Sequence, residues 1–334
     1  MGALVKTFCI GILCWSLGVT FYKTFGEISD CDSVSYHIPA PKKWLKQGFS
    51  YDFPKTEKWP YLEALQFNYP LHLEAIFAIP IHFGKERLSQ TIHWLFALFT
   101  VLAIIFWDKT RPFTERLFQG AVFSSLPVVT HFSRLAMNDL AVCFYGYLSY
   151  LTRSTWWLSG LFGGWMMACR YQGAILFGIW MAVTRNWKGF LLGCLAGGGW
   201  YLKNFIEFGD PMFPYLLKQT LIPQEVIDLH AWNLIRHQLV VIGSWNPFSP
   251  NFTPLAGQYF LFPLAFTILY GWLRRDSLGD KTHWLASAIY FPTAYRLKEN
   301  WWRFCLPLIP VWCGYLSYKN WWNWFAFIPV FFLR

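Results

Sequence analysis

Two aspartates and a histidine lie close together directly after the first apolar segment, in the stretch 29–39. Ionisable side chains beside a membrane helix are costly and usually have a functional reason. A carboxylate that is partly desolvated at such a position can act as a general base near neutral pH. We therefore expect Asp30, Asp32 and His37 to belong to a chemical site, against the alternative of a solvated loop with an incidental histidine. The sequence leaves open which aspartate would be the base.

A second group of charged residues stands at the ends of later apolar segments. Arg134 and Asp139 precede one segment, where they would form either an interfacial ion pair or a second acidic site that faces the first. Arg170 interrupts an apolar run and is followed by Tyr171. A guanidinium at that depth needs an anion, which would be either a protein carboxylate or the phosphate of a ligand.

Two further stretches place polar residues next to apolar segments. Tyr201, Lys203 and Asn204 follow three glycines at 197–199, and Arg303 opens a late apolar segment. The glycines favour close helix packing over a phosphate loop, because the sequence contains no P-loop or dinucleotide-binding motif. The acidic residues would also suit Mg²⁺ or Mn²⁺, but no ligand spacing identifies a metal.

The composition indicates an integral membrane protein. Of the 334 residues, 55% are hydrophobic and 14% are charged, and the mean hydropathy is +0.30. Soluble domains carry about 25% charged residues. The 21 Trp and 17 Tyr residues are typical of the aromatic belts at membrane interfaces. The net charge of +10 suits lipid headgroups or phosphates better than nucleic acid, for which no motif is present.

Apolar segments recur along the whole chain. They predict an all-α polytopic bundle of about eleven transmembrane helices in a single domain over 1–334, since one crossing needs about 20 residues. The first segment has no small-residue cleavage site after it, so we expect a retained helix and not a signal peptide. The predicted spans lie near 5–24, 91–107, 117–133, 138–152, 155–170, 172–184, 187–202, 255–273, 283–295, 302–318 and 320–334.

Two stretches, 27–90 and 204–254, are too polar to cross a membrane and are expected to be long outer loops. The first contains an apolar run at 71–83 that is too short for a crossing and predicts a juxtamembrane or re-entrant helix. With the amino terminus inside, both stretches lie outside and the short loops rich in Lys and Arg lie inside, as the positive-inside rule requires. A full crossing by 71–83 would reverse every later loop.

Taken in order, these motifs resemble the C-type (GT-C) membrane glycosyltransferases, and are most like the dolichyl-phosphate-mannose-type, family 39-like branch and its bacterial relatives. The resemblance covers about 27–310, and it departs from the family where Ser33 stands in place of a second acid. It is carried by Asp32-Ser33-Val34-Ser35-Tyr36-His37-Ile38-Pro39 with Trp44 and Gly48, Asn68-Tyr69-Pro70 with Glu74, Asp139, Arg170-Tyr171-Gln172-Gly173, Trp200-Tyr201-Leu202-Lys203-Asn204 with Gly209-Asp210-Pro211, and Arg303-Phe304 with Leu306-Pro307.

The resemblance implies transfer of a sugar from a polyprenyl-phosphate donor to a hydroxyl of a lipid, glycan or protein acceptor. The reaction would take place on the non-cytoplasmic face of a bacterial inner membrane or an ER-type membrane. Asp32 would be the catalytic base and Asp139 a second catalytic acid. The residues implied to bind substrate are Asp30, His37, Tyr69, Glu74, Arg134, Arg170, Tyr171, Tyr201, Lys203, Asn204 and Arg303.

Two other classes of membrane protein compete with this interpretation. A secondary transporter would carry its charges in the middle of spans and would show paired repeats. In this sequence most charges stand at the ends of apolar segments, and we find no convincing repeat. A structural subunit would leave the clustered acidic and basic residues without a purpose.

Overall fold

The computed structural model describes residues 2–30, 32–48, 69–107, 109, 111–212, 287, 306–320, 323–324 and 326–327. The described residues are mostly helical and contain no β strand, which confirms the all-α class for that part of the chain. The predicted span at 255–273, most of that at 283–295, the second outer loop after residue 212 and Arg303 lie outside the described residues.

The helices follow one another with short connections. Leu126 lies before Pro127 in an extended conformation and separates the helix Phe113–Ser125 from the helix Pro127–Phe132, because proline disfavours a helical conformation in the residue that precedes it. The elements are α1 Gly2–Lys23, a π-helix Ser33–His37, α2 Pro39–Gln47, α3 His72–His82, α4 Leu88–Phe106, α5 Phe113–Ser125, α6 Pro127–Phe132, α7 Asp139–Leu151, α8 Trp156–Cys169, α9 Tyr171–Thr184, α10 Trp187–Gly197, α11 Gly199–Phe208, a 3₁₀ turn Leu306–Leu308 and α12 Ile309–Cys313.

Consecutive long helices run antiparallel. Near the end of α1, Thr24 Oγ1 lies 3.0 Å from Thr91 Oγ1 at the start of α4. Near the end of α7, Ser149 Oγ donates to the Ser159 carbonyl at the start of α8, at 2.8 Å. The connections therefore alternate between two ends of the bundle. We call the end with 24–30, 32–48, 69–87, 133–138 and 170 the polar end, and the end with 107, 109, 111–112, 152–155 and 185–186 the basic end.

Helix α3 begins and ends at the polar end. Its Glu74 accepts a hydrogen bond from Asn138, which lies just before α7. Its last residue, His82, is followed by a short turn that leads directly into the start of α4. Both ends of the apolar run at 71–83 thus lie at the same end of the bundle. The position of this run relative to a membrane stays a prediction.

Helices α8 and α10 pack in parallel through glycines spaced four residues apart, which we call the glycine seam. Gly160 and Gly164 of α8 face Gly189, Gly193 and Gly197 of α10. A Cβ atom added to Gly164 would lie 2.5 Å from the Gly193 carbonyl oxygen, and one added to Gly197 would lie 1.9 Å from the Gly164 oxygen. The two backbones are in direct contact, as in helix pairs that use small residues, so the packing role expected of the glycines is confirmed for Gly197.

Two of the described helices, Gly2–Lys23 and Leu88–Phe106, are long and apolar enough to cross a membrane, and Tyr171–Thr184 is a shorter apolar helix. This statement rests on length and composition alone. The predicted segment at 117–133 is divided between α5 and α6, and the number of eleven spans stays a prediction.

Candidate functional site

The stretch 29–39, which we call the first acidic stretch, contains the π-helix that lies between α1 and α2. Turns of this kind are rare and are frequent at functional sites. Asp30 Oδ1 accepts a hydrogen bond from the Ser33 amide at 2.9 Å, so this carboxylate stabilises the entry to the turn. Asp32 is the residue that directly precedes the turn, and it is half-buried.

The π-helix packs on the segment that leads to Asp139. Ser33 Oγ donates to the carbonyl oxygen of Ala136 at 3.0 Å, and this contact is buried. Asp139 is the first residue of α7, three positions further along. The fold therefore brings the first acidic stretch next to the second one, although about a hundred residues separate them in the sequence.

A buried histidine–carboxylate pair joins the π-helix to α3. His37 ends the π-helix, and its Nδ1 pairs with Glu74 Oε1 of α3; both residues are fully buried. Asn138 Nδ2 donates to the same Glu74 oxygen at 3.3 Å and to the Cys169 carbonyl at 2.8 Å. Glu74 and Asn138 thus connect the π-helix, the start of α7 and the end of α8.

An ion pair completes this group. Arg170 Nη1 donates to Asp139 Oδ1, and the two side chains are 13% and 2% exposed. Arg170 lies alone in an extended conformation between α8 and α9, so the hairpin of these two helices places its guanidinium beside the first turn of α7. The anion that Arg170 contacts is a protein carboxylate. We call His37, Glu74, Asn138, Asp139 and Arg170 the polar junction.

The charge state of the polar junction follows from its burial. Burial raises the pKa of Glu74 from 4.5 to about 8, and neighbouring Asp139 also raises it, whereas Arg170 and Asn138 lower it. This shift favours the protonated form of the Glu74 carboxyl, which contacts His37 Nδ1. Together with the Asp139–Arg170 ion pair, this arrangement leaves the junction without net charge, which a buried site requires.

A series of tyrosines lies beside the polar junction. The ring of Tyr69 meets those of Tyr36 and Tyr171 edge to face, with centroids 5.9 and 5.8 Å apart. Tyr171 meets Tyr201 in the same manner at 5.6 Å. Asn204 Nδ2 donates to the Tyr171 hydroxyl at 2.8 Å. Tyr69, Tyr171, Tyr201 and Asn204, all predicted to bind substrate, are thus brought together by the fold.

Two other predicted cations, Arg134 and Lys203, contact residues close to them in the sequence. Arg134 Nη2 lies 3.4 Å from His131 Nδ1, within its own segment. Lys203 Nζ pairs with Glu207 one turn further along α11, at 3.3 Å, and lies 5.3 Å from the centroid of the Trp200 ring. These contacts are local to each segment.

Two residues of this region were not among the sequence-based candidates. Asn138 makes the contacts given above. His93 of α4 is fully buried; its Nδ1 donates to the carbonyls of Phe132 and Leu135 at 3.0 and 2.9 Å, and its Nε2 accepts from the Leu140 amide at 2.9 Å. His93 therefore fixes the connection that presents Asp139. The only signal for either residue was a polar side chain at the edge of an apolar segment.

Among the described residues, no group of three or more His, Cys, Asp or Glu side chains is placed to hold a metal ion. Comparison with known proteins finds no family model, no curated protein and no solved structure that matches the chain. The contacts within the chain are therefore the basis for assigning its function.

Proposed function

We propose that the protein is a membrane glycosyltransferase that moves a sugar from a polyprenyl-phosphate donor to a hydroxyl acceptor. The observation that carries this proposal is the meeting, at one end of a helical bundle, of the first acidic stretch with Asp139 and Arg170. The buried contact of Ser33 with Ala136 and the pair of His37 with Glu74 hold these segments together. Half-buried Asp32 directly precedes the π-helix that ends at His37.

The residue types suit the reaction. The Asp32 carboxylate would take the proton of the acceptor hydroxyl while the hydroxyl oxygen attacks the anomeric carbon of the donor sugar. The bond from that carbon to the phosphate oxygen would break, and polyprenyl phosphate would leave with the bonding electrons. Negative charge then grows on the phosphate, and nearby cations stabilise it. Arg170 is the candidate within the polar junction, since its guanidinium keeps some exposure beside Asp139.

The distribution of charge supports an orientation in the membrane. The short connections at the basic end contain Lys109, Arg111, Arg153 and Arg185, and Lys188 follows in the first turn of α10. Short loops rich in Lys and Arg remain on the cytoplasmic side. We therefore propose that the polar end, with Asp32 and Asp139, faces the non-cytoplasmic side, where a lipid-linked donor would be presented.

A secondary transporter is the second candidate, and the largely buried ionisable side chains of the polar junction are the observation in its favour. A transporter places its binding site near the middle of the membrane, between broken helices. In this chain Asp139 is the first residue of α7, and Arg170 lies between the ends of two helices. This position at the helix ends favours an enzyme at the membrane surface.

The test is an assay of the purified full-length protein in lipid nanodiscs with labelled polyprenyl-phosphate sugars and a mixture of hydroxyl acceptors. We expect loss of labelled donor and release of free polyprenyl phosphate in equal amounts. In sealed proteoliposomes a transporter would instead move label across the membrane without breaking the bond to phosphate. Transport without cleavage would overturn the proposal.

Two matched variants connect the assay to the site. Asp32→Asn keeps the shape of the side chain but removes the base, so turnover should fall about a hundredfold or more, the usual scale of general-base catalysis. Asp30→Asn keeps the oxygen that accepts from the Ser33 amide, so turnover should change little. If Asp30→Asn abolishes transfer and Asp32→Asn leaves it intact, the assignment of the base is wrong.

A further inference from the structure

We propose that Glu74 is a positioning residue: the single proton that it shares with His37 locks the first acidic stretch against the start of α7, and loss of that proton releases the lock. The consequence for sugar transfer depends on the function proposed above. The lock itself does not depend on that function, since it is a property of the folded chain.

The geometry places Glu74 between segments, away from solvent. Its side chain is fully buried, as is that of His37. Its Oε1 contacts His37 from the π-helix and Asn138 from the segment before α7, and Asn138 in turn holds the Cys169 carbonyl at the end of α8. A group with no exposed surface acts on a substrate only through the residues that it holds.

The groups that face Glu74 set its charge. They are His37 from the π-helix, Asp139 from α7, Arg170 from the connection between α8 and α9, and the buried Cys169 thiol from α8. Asp139 and Arg170 neutralise each other. With one proton shared between His37 and Glu74 the group is neutral, whereas without it the group carries one buried negative charge, which is costly.

The second carboxyl oxygen of Glu74 also favours the protonated form of the pair. Glu74 Oε2 is buried and has no hydrogen-bond partner within the part of the chain that the structure describes. An oxygen without a donor is less costly on a neutral carboxyl than on a carboxylate. The arrangement therefore favours the protonated form of the pair.

The direction of the pH dependence follows from linkage. Burial raises the pKa of Glu74 from 4.5 to about 8, so the folded protein binds a proton that the unfolded chain has already released at neutral pH. Such a group stabilises the fold fully below its ordinary pKa, and the stabilisation is lost as the pH rises through the folded value. The stability that this proton contributes should therefore fall as the pH rises from about 4.5 to about 8, and it should be level at higher pH.

The experiment measures thermal unfolding of the full-length protein in nanodiscs as a function of pH, for the unchanged protein and for Glu74→Gln. The amide fills the same space and donates a hydrogen bond, but it has no proton to lose. We expect the melting temperature of the unchanged protein to fall as the pH rises from about 5 to about 8 and then to level off, a change that we call the alkaline fall. The melting temperature of Glu74→Gln should stay level over the same range. Glu86→Gln is the matched control, because Glu86 is a surface carboxylate and its replacement should leave the alkaline fall in place.

A second variant and a second readout keep a positioning role apart from a merely structural one. Glu74→Ala should melt lower at every pH, since it leaves His37 and Asn138 without their partner. In the transfer assay, the alkaline limb of the profile of kcat against pH should move to higher pH in Glu74→Gln. An alkaline fall in Glu74→Gln equal to that of the unchanged protein would overturn the proposal. So would a Glu74→Ala variant that melts like the unchanged protein. A protein that transfers no sugar would refute the proposed function, while the melting profiles would still decide on the lock.

Discussion

The polar junction and the glycine seam both hold helices of one bundle together, by opposite means. At the junction, five side chains from four segments meet through a buried ion pair and hydrogen bonds. At the seam, α8 and α10 meet through glycines that offer no side chain at all. Helix α8 takes part in both, since Gly160 and Gly164 face α10 while its end supplies the Cys169 carbonyl to Asn138.

The difference lies in what each contact requires of a residue. The junction requires charge balance, because a buried charge without its partner is far more costly than a lost contact. The seam requires shape alone, because one added carbon would overlap backbone atoms that have no room to move. Substitutions at the two places should therefore differ in their dependence on charge, on salt and on partner residues.

The largest effect is expected when the junction loses one charge. Arg170→Ala leaves Asp139 buried without its cation, and breaking a buried pair in this manner costs roughly 3 to 5 kcal/mol. Unfolding titrations with denaturing detergent in mixed micelles would measure this loss. In the donor assay the same variant should also weaken binding, since the phosphate would lose a candidate counter-charge.

Two further variants separate charge balance from the loss of a large side chain. Arg170→Ala combined with Asp139→Asn should recover much of the lost stability, because no unpaired charge remains. Arg153→Ala, which removes an exposed arginine that stacks on Tyr150 at the basic end, should change stability by less than about 1 kcal/mol. Equal losses in the single and double variants would show that charge balance does not govern the junction.

A somewhat smaller effect is expected at the seam. In Gly164→Ala the new Cβ would lie 2.5 Å from the Gly193 carbonyl oxygen, so the helices must separate. Overpacking of this kind costs about 1 to 3 kcal/mol. Gly178→Ala adds the same atom to α9 where nothing lies within 4 Å, so it should leave stability unchanged or raise it through better helix propensity. Similar losses in both alanine variants would contradict direct backbone packing.

The smallest effect is expected at an exposed ion pair of the polar end. Lys42 Nζ lies 2.7 Å from Glu86 Oε1, and the two side chains are 43% and 41% exposed. Pairs of this kind contribute about 0 to 1 kcal/mol and are screened by salt. Lys42→Ala should therefore change the free energy of unfolding much less than Arg170→Ala does. In high salt, the change caused by Lys42→Ala should vanish. A loss as large as that of Arg170→Ala would mean that burial does not separate the two pairs.

The sequence by itself determined the helical class and singled out the polar segments that form the candidate site. Its low charge content and recurring apolar runs favour a membrane protein over a soluble globule. The position of Asp32, His37, Asp139 and Arg170 at the edges of apolar runs singled them out, because a charge there is costly unless it has a partner. The run of three glycines at 197–199 likewise predicted close helix packing, which the structure shows at Gly197.

Only the tertiary structure decided which of these residues meet. Sequence left the anion for Arg170 open, and the hairpin of α8 and α9 places it on Asp139. Nothing in the local pattern indicated that Glu74 would pair with His37 or that Asn138 would join them. Hydropathy fixes which residues leave water, whereas partners that lie 31 to 64 residues apart depend on the order, direction and register of the helices between them. Packing sets that register, and apolar periodicity does not encode it.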